Sequence, residues 1–218
     1  NFKNLSYPKI KDWNISGSVN FYNGKVKMNN VHISNNESED ALNLISTNYN
    51  LKNIHFKSTK SDALDIDFGN GTITDSTFTD IGNDAIDVSG TELLIENIIT
   101  INVGDKSISA GENSFIKGNN IKIDNAEIGI ASKDGSDVTL NEIEISNSKL
   151  GLTSFVKKSE YSNASLVIND LILDNVYKNH LVENNSFLKI NGAVISNDIS
   201  NVKSLFYGNE FGIKTQKD

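Results

Sequence analysis

The chain has 218 residues, a formal net charge of −8 and no cysteine. The acidic balance argues against binding to a nucleic acid backbone, the lack of cysteine excludes disulfides and thiol chemistry, and no apolar run reaches the roughly 20 residues of a membrane span. All 20 basic residues are lysine, so no guanidinium group is present to hold a carboxylate or phosphate in a bidentate manner.

Residues 1–18 show no repeat and contain the single tryptophan, Trp13. The open end of a stack of strands exposes strand edges and apolar core, so we expect this segment to be an irregular N-terminal coil or the remnant of a cap. Because the first residue is Asn1 rather than methionine, we also expect the chain to be part of a larger protein from which any signal peptide has been removed.

A repeat of 22 residues organises the chain from residue 19 to residue 205. The phrases EDALNLI, SDALDID and NDAIDVS return at this spacing and decay into DKSISAG, EIGIASK and KLGLTSF. A fixed short period with strand-like alternation of apolar residues predicts a solenoid of stacked β-coils. The small residues of the repeat are Ala41, Ala63, Ala85, Ser107, Gly129 and Gly151, and the apolar residues after them are Leu42, Leu64, Ile86, Ile108, Ile130 and Leu152.

Two polar columns mark the turns of the predicted coils. Asparagine tolerates the left-handed backbone that a sharp turn needs, and amides stacked about 4.8 Å apart can hydrogen-bond from coil to coil. The first column is Asn30, Asn53, Asp75, Asn97, Asn119 and Asn141, continued at Asn169 and Asn191. The second is Asp80, Asn102, Asp124, Ser146, Asp174 and Ser196.

One coil is longer than the others, because Asn141 and Asn169 are 28 rather than 22 residues apart. We expect the extra residues to form a loop on the solenoid wall near 155–163, and insertions in repeat proteins often lie on the working face. Residues 206–218 follow the last weak repeat and are expected to be a C-terminal tail or end cover.

The turn asparagines, the alternation of small and apolar residues and the 22-residue coil resemble the right-handed parallel β-helix of the pectate-lyase-like superfamily. The resemblance covers residues 19–205 and implies an all-β, single-stranded solenoid. That superfamily includes polysaccharide lyases, hydrolases and epimerases as well as binding and scaffold modules, so the fold does not choose an activity. It implies a secreted or cell-surface location, and we expect a bacterial source.

A binding groove is predicted on the outer face of the DAL strands. Alternate side chains of a strand point to opposite faces, so if Leu64 and Ile66 face the core, then Ala63, Asp65 and Asp67 face outwards. Small residues would then line a groove for an extended polysaccharide, although they could equally serve only to ease stacking. The column beside this floor is Asn43, Asp65, Asp87, Ser109, Ala131 and Thr153, from which Asp65, Asp87 and Ser109 are expected to bind the ligand.

A calcium site is predicted at Asp65, Asp67 and Asp87. Asp65 and Asp87 occupy one column on neighbouring coils, where like charges destabilise a sheet. Such a pair needs a cation, a shared proton or contact with solvent. Calcium prefers six to eight oxygen ligands and is the one cofactor that the sequence suggests.

Asp40, Asp62 and Asp84 form a second acidic column, for which hydrogen bonds to local backbone are the favoured interpretation. Lys106 follows this column on the next coil. Some polysaccharide lyases of the resembling superfamily use a lysine as base together with calcium, which makes Lys106 and Asp84 the catalytic candidates. The absence of arginine and of any complete family motif counts against catalysis.

The loop near 155–163 contributes Lys157, Lys158 and Tyr161, which with Lys133 could hold an acidic sugar by charge and stacking. A solvated loop is the alternative interpretation. His32 and His55 share an outward column, but a third metal ligand is missing from it. His180 is a candidate acid or base by position only.

We therefore expect a module that binds a polysaccharide, which could be acidic, along this groove, with no nucleic acid or membrane as partner. The first alternative is a calcium-assisted lyase or C5-epimerase, because the proton beside a uronate carboxylate becomes removable once a cation neutralises that carboxylate. The second alternative is a rigid structural or adhesive spacer.

Overall fold

The computed structural model describes residues 1–6, 15–196 and 199–206. It is an all-β solenoid of about eight turns, with 70% strand and 3% helix, in which parallel coils stack about 22 residues apart. The predicted solenoid is therefore confirmed. Trp13 and the predicted tail beyond residue 206 lie outside the described residues. No described segment forms a helix of the length and apolarity that crossing a membrane requires.

Sixteen strands and one short helix are described. In chain order they are β1 (Phe2–Lys3), β2 (Gly17–Tyr22), β3 (Lys25–Asn36), β4 (Asp40–Ile45), β5 (Asn48–Thr59), β6 (Asp62–Asp67), β7 (Asn70–Ile81), β8 (Ile86–Ser89), β9 (Glu92–Gly111), β10 (Phe115–Lys133), β11 (Asp137–Ser146), β12 (Leu150–Phe155), β13 (Ser165–Asp174), β14 (Lys178–Val182), β15 (Phe187–Ile190), β16 (Ala193–Val194) and α1 (Val202–Phe206).

Two ladders of parallel strands enclose the core. The first wall consists of β2, β4, β6, β8, the second parts of β9 and β10, β12 and β14. The second wall consists of β1, β3, β5, β7, the first parts of β9 and β10, β11, β13 and β15, with β16 antiparallel to β15. Because β9 and β10 pass from one wall to the other, both walls belong to one continuous hydrogen-bonded sheet.

The small residues of the repeat lie inside the core, so the predicted outward floor of alanines is wrong. Ala63 and Ala85 are fully buried within the main hydrophobic cluster. Strict alternation fails here because Asp62 and Leu64 both pair with the coil below, and the alanine between them is skipped. Small side chains at this corner leave room for Phe56 and Phe78, whose rings stack with centroids 5.0 Å apart.

Left-handed residues form the turn columns, as predicted for Asn30, Asn53, Asp75 and Asn97, whose φ angles are 57°, 53°, 53° and 55°. The column then lies one residue later than predicted, at Asn120, Glu142 and Asp170, and returns to the predicted position at Asn191, where φ is 48°. Asn120, with φ 55°, donates from Nδ2 to Asn97 Oδ1 at 2.8 Å.

The second turn column shifts in the same way. Asn125 donates to Asn102 at 2.9 Å, and Asn175 donates to Asn147 at 2.8 Å. Thus Asn119, Asn141, Asn169, Asp124, Ser146 and Asp174 each lie one residue before the left-handed position. The cause is one additional residue at the corner Glu112–Asn113, where both residues have positive φ.

The extra residues between β12 and β13 form a loop that is held from below by Asp134. The Oδ1 atom of Asp134 accepts hydrogen bonds from the backbone amides of Lys157 and Lys158 at 2.6 and 2.7 Å. On the other side, the Lys203 ammonium donates to the Lys157 carbonyl at 2.8 Å. These contacts place the loop lysines at the corner of the first wall.

Candidate functional site

Parallel register brings the predicted outward column together on the first wall. Asp65 pairs with Asn43 on one side and with Asp87 on the other, and Asp87 pairs with Ser109. Neighbouring strands lie about 4.8 Å apart, so aspartates that are 22 residues apart in sequence become direct neighbours. Asp67 lies two residues further along the same strand as Asp65 and also faces outwards.

The outward side chains of the first wall change from mainly acidic to mainly apolar along the solenoid axis. We use "acidic half" for its outward residues Asp40, Asn43, Asp62, Asp65, Asp67, Asp84 and Asp87. We use "covered half" for Ile128, Ala131, Leu150, Phe155 and Leu181, which pack with Val202 and Phe206 of α1.

Because α1 packs on the covered half, the predicted outward column is not exposed to solvent along its whole length. Phe155 and Phe206 meet edge to face with ring centroids 5.0 Å apart. Ser109, Ala131 and Thr153 are fully buried. The accessible part of the column is therefore confined to the acidic half.

Lys106 marks the boundary between the halves and is part of a buried ion cluster. Its Nζ lies 2.5 Å from Asp105 Oδ2 and 3.6 Å from Asp84 Oδ1. Burial lowers the pKa of Lys106, but the charges of Asp84 and Asp105 outweigh this and raise it overall. A lysine held in its protonated form is poorly suited to accept a proton, so the geometry favours charge neutralisation over the predicted role as base.

Asp62 and Asp84 serve as hydrogen-bond acceptors for the backbone of the next coil. Asp62 Oδ1 accepts from the Asp84 amide at 2.8 Å, and Asp84 Oδ1 accepts from the Lys106 amide at 2.8 Å. This agrees with the turn interpretation of the column. Asp84, the second catalytic candidate, is thus engaged by both the backbone and the Lys106 ion pair.

Asp65 and Asp87 pair in register, but their surroundings shift their pKa values in opposite directions. Lys133 Nζ lies 3.8 Å from Asp87 Oδ1. Burial by itself would raise the pKa of Asp87, but chiefly the charge of Lys133 lowers it below the ordinary value. Burial and then the charge of Asp40 raise the pKa of Asp65 to about 9. One carboxyl of the pair is ionised and the other protonated at neutral pH, which relieves the like-charge repulsion.

Asp62 and Asp67 share the environment of Asp65. Burial, followed by the charge of Asp84, raises the pKa of Asp62 to about 8. Burial and then the charge of Asp87 raise the pKa of Asp67. Within the described residues, no lysine lies within ion-pair distance of Asp62, Asp65 or Asp67.

The loop residues lie beside the acidic half. The Lys158 ammonium pairs with Glu112, and both charges influence the pKa of Asp67. The Tyr161 amide donates to the Lys158 carbonyl at 3.1 Å. The structure therefore brings the predicted binding residues of the loop and of Lys133 to the same corner as the aspartates.

Calcium binding gains no support from the arrangement of these side chains. Among residues 1–6, 15–196 and 199–206, no three acidic or histidine side chains are placed so that they could hold a metal ion. A calcium site at Asp65, Asp67 and Asp87 stays a prediction.

Sequence reasoning gave no role to two residues of this region. Asp105, by contrast, directly precedes Lys106, and this adjacency already indicates a neighbouring carboxylate for the lysine. Glu112 had no signal, because its partner Lys158 is 46 residues away. Asn43 was placed in the outward column without a role, and its amide Nδ2 donates to Asp40 Oδ2 at 2.9 Å.

The histidines do not join this site. His32 and His55 stack with ring centroids 4.5 Å apart, and both ring nitrogens of His55 are engaged, by Thr77 at 2.7 Å and Asn53 at 2.8 Å. His180 pairs with Leu152 in the inward column and directly precedes Leu181, which pairs with Thr153 of the predicted groove column.

No protein-family model matches this sequence, and no curated protein or solved structure matches it significantly. The likeness to the pectate-lyase-like superfamily consequently stays a resemblance in coil length and turn chemistry.

Proposed function

We propose that this chain is a polysaccharide-binding solenoid module whose ligand lies across the acidic half of the first wall. One observation carries the proposal: Asp65 and Asp87 stand in direct register on neighbouring strands, with Lys133 and the loop lysines at their margin. Polar groups that repeat at the strand spacing of about 4.8 Å suit a polymer whose sugar units repeat at a similar distance.

The solvent exposure of the side chains also favours the acidic half as the binding region. Asp62, Asp65 and Asp67 are partly exposed, whereas the covered half is buried beneath α1. A ligand that approaches the acidic half meets carboxyl and amide groups that are held by a rigid sheet, so little conformational entropy is lost when they engage it.

The lyase or epimerase alternative has weaker support. Its base, Lys106, is buried and paired with two carboxylates, at 2.5 and 3.6 Å. Asp84 accepts a backbone hydrogen bond at 2.8 Å. The spacer alternative requires no site at all and is an outcome of the binding test.

Affinity electrophoresis in gels that contain neutral, acidic or amino-group polysaccharides tests the proposal. We expect at least one polymer to retard the wild-type chain and Asp87→Asn to weaken that binding about tenfold, or ~1.4 kcal/mol. Asp137→Asn, which removes one exposed charge from the second wall, is the control and should bind like the wild type.

Absence of retardation by any polymer would overturn the proposal and favour the spacer. Equal weakening by Asp87→Asn and Asp137→Asn would show that binding does not depend on the acidic half. Formation of an unsaturated product, detected by ultraviolet absorbance with acidic polymers, would instead favour the lyase.

A further inference from the structure

The outer face of the second wall carries a pocket with a volume of about 490 Å³, lined mainly by residues of β1, β3, β5 and β7. Ile33, Phe56 and Phe78 form its buried floor, and the side chains before and after each of them point outwards, because alternate residues of a strand face opposite sides. The first outward column is His32, His55 and Thr77. The second is Lys3, Ser34, Lys57 and Thr79.

We call this site the basic pocket, because every ionisable side chain that lines it is a lysine or a histidine. Lys3 and Lys57 are exposed. Neither lies within ion-pair distance of a carboxylate in the part of the chain that the structure describes. Their charges are therefore available to a ligand, unlike those of the first-wall lysines that pair with aspartates.

The carboxylates of β7 lie outside the basic pocket, in the two turn columns, and are already engaged. Asp75 Oδ2 pairs with Lys52 at 3.6 Å. Asp80 Oδ1 accepts a hydrogen bond from Asn102 at 2.8 Å. On a protein with a net charge of −8, the pocket is thus a local region of positive charge, which suits an anionic group.

The hydrogen bonds of His55 determine which of its ring nitrogens carries the proton in the neutral form. Its Nε2 lies 2.8 Å from Asn53 Oδ1, which can only accept, and the amide nitrogen of Asn53 donates to Asn30. Nε2 therefore donates, and Nδ1 accepts from the Thr77 hydroxyl at 2.7 Å. In this state the hydroxyl hydrogen of Thr77 is used by the histidine.

Protonation of His55 reverses its bond to Thr77. An imidazolium donates from both ring nitrogens, so Thr77 Oγ1 becomes the acceptor and its hydroxyl hydrogen is free to donate to a ligand in the basic pocket. Without a ligand, burial and then the charge of His32, whose ring stacks on His55 with centroids 4.5 Å apart, lower the pKa of His55. His55 is therefore neutral at pH 7, and a bound anion would favour its charged form.

We infer that the basic pocket binds an oxyanion, the sulfate or carboxylate group of an acidic ligand, and that binding is coupled to uptake of a proton by His55. Lys3 and Lys57 supply charge, and Ser34 and Thr77 supply hydroxyl donors. The inference does not rest on the proposed function, because it concerns the other wall. An acidic sugar, which the sequence predicted as a ligand of the first wall, meets unpaired lysines here.

Proton NMR of the imidazole rings tests the coupling, since the chain has three histidines and each gives its own titration curve. The curves are recorded in sodium sulfate and in sodium chloride at matched ionic strength, and the signals are assigned with His→Asn variants. We expect sulfate to raise the pKa of His55 by about 0.5–1, because an opposite charge favours the imidazolium. His180 of β14, on the first wall, is the internal control and should not respond.

Isothermal titration with the galacturonate hexamer and the neutral glucose hexamer tests whether a sugar can supply the oxyanion. We expect the galacturonate hexamer to bind about three to ten times more tightly at pH 5 than at pH 8, as a rise of about 0.5–1 in the pKa of His55 requires. His55→Phe keeps a stacked ring without the titrating group and should remove this pH dependence.

Lysine variants locate the site. Lys57→Gln should weaken binding of the galacturonate hexamer about tenfold, since a hydrogen bond to a charged group is lost. Lys117→Gln, which removes an exposed charge elsewhere on the second wall, should leave it unchanged, and so should Asp87→Asn of the first wall. Circular dichroism and the melting temperature of each variant establish that the fold is retained.

Each outcome decides for or against the inference. A sulfate effect on His55 without binding of the galacturonate hexamer supports the site and identifies a free inorganic anion as its ligand. Identical His55 curves in sulfate and chloride, together with no binding of the galacturonate hexamer, overturn the inference and leave the proposed function untouched. Equal losses in Lys57→Gln and Lys117→Gln, or a loss only in Asp87→Asn, would also overturn it, and the latter would place the acidic sugar on the first wall.

Discussion

The acidic half and the covered half of the first wall share one backbone arrangement and one register, but their outward side chains differ: those of the acidic half are polar, and most of those of the covered half are apolar and pack against α1. Asp62 and Asp84 in the acidic half are continued in the same column by Lys106 and then by Ile128 and Leu150. The apolar residues pack under α1, whereas Asp62 is partly exposed and Asp84 is buried in the ion pair with Lys106. Each coil of the solenoid wall thus offers the same backbone positions, and the side-chain type decides whether a position is packed beneath α1 or left outside that contact.

The boundary between the halves should be the most sensitive point. Lys106→Met leaves the buried Asp84 and Asp105 without their cation, and removal of one partner of a buried ion pair costs about 3–5 kcal/mol. Urea unfolding at pH 7 measures the loss. The control, Lys122→Met, removes an exposed pair with Glu144 at 3.1 Å and should cost less than about 1 kcal/mol. Equal losses would mean that the boundary ion cluster has no special role.

The covered half should behave as true core. Leu150→Ala empties a fully buried position beneath α1 and should lower the free energy of unfolding by about 3 kcal/mol. The same change at Leu94, which is 51% exposed, should stay within about 0.5 kcal/mol. A small effect at Leu150 would show that α1 contributes little to the covered half.

The acidic half should make stability depend on pH. Protonation of the Asp65 carboxyl stabilises the folded state. This contribution is fully present below the ordinary pKa of 3.8 and declines as the pH rises. It is lost once the pH passes about 9, the pKa of Asp65 in the folded state. Wild-type stability should fall by about 1 kcal/mol or more between pH 6 and pH 9, as measured by urea unfolding. Asp65→Asn should flatten the curve, and an unchanged slope in this variant would contradict the assignment.

The smallest effects concern the turn columns that both halves share. Asn120→Ala forces a residue with φ 55° to become alanine and removes a hydrogen bond to Asn97, so it should cost about 1 kcal/mol. Asn119→Ala, one residue earlier, should change the melting temperature little. If Asn119 proved the more sensitive position, the register of the column would be wrong.

The repeat made the architecture predictable because every coil must meet the same steric demands. Stacking requires apolar residues such as Leu64 and Ile86 at one spacing, and tight turns require residues such as Asn53 that tolerate positive φ. Their spacing was enough to place Asp65 beside Asp87, which the register confirms. The gathering of Lys133, Lys157 and Lys158 near these aspartates was expected as well.

Local irregularities of the backbone made two finer predictions wrong: the outward position of the alanines and the exact residues of the turn columns. Ala63 is buried in the core because the register skips it between Asp62 and Leu64, and a rule of strict alternation does not predict such a skip. The additional residue at Glu112–Asn113 escaped notice because the column from Ile108 to Ile130 keeps its spacing of 22 residues. A compensating irregularity between Ala126 and Ile128 restores the register.

The sequence by itself determined the coil length, the left-handed turns and which aspartates become neighbours, because these follow from spacing along the chain. Only the tertiary structure decided that α1 packs on the covered half, that Lys133 pairs with Asp87, and that Asn43 Oδ1 accepts no hydrogen bond from the residues that the structure describes. Those outcomes depend on burial and on contacts such as Phe155 with Phe206. Such contacts join residues far apart in the chain, and the period of the repeat carries no information about them.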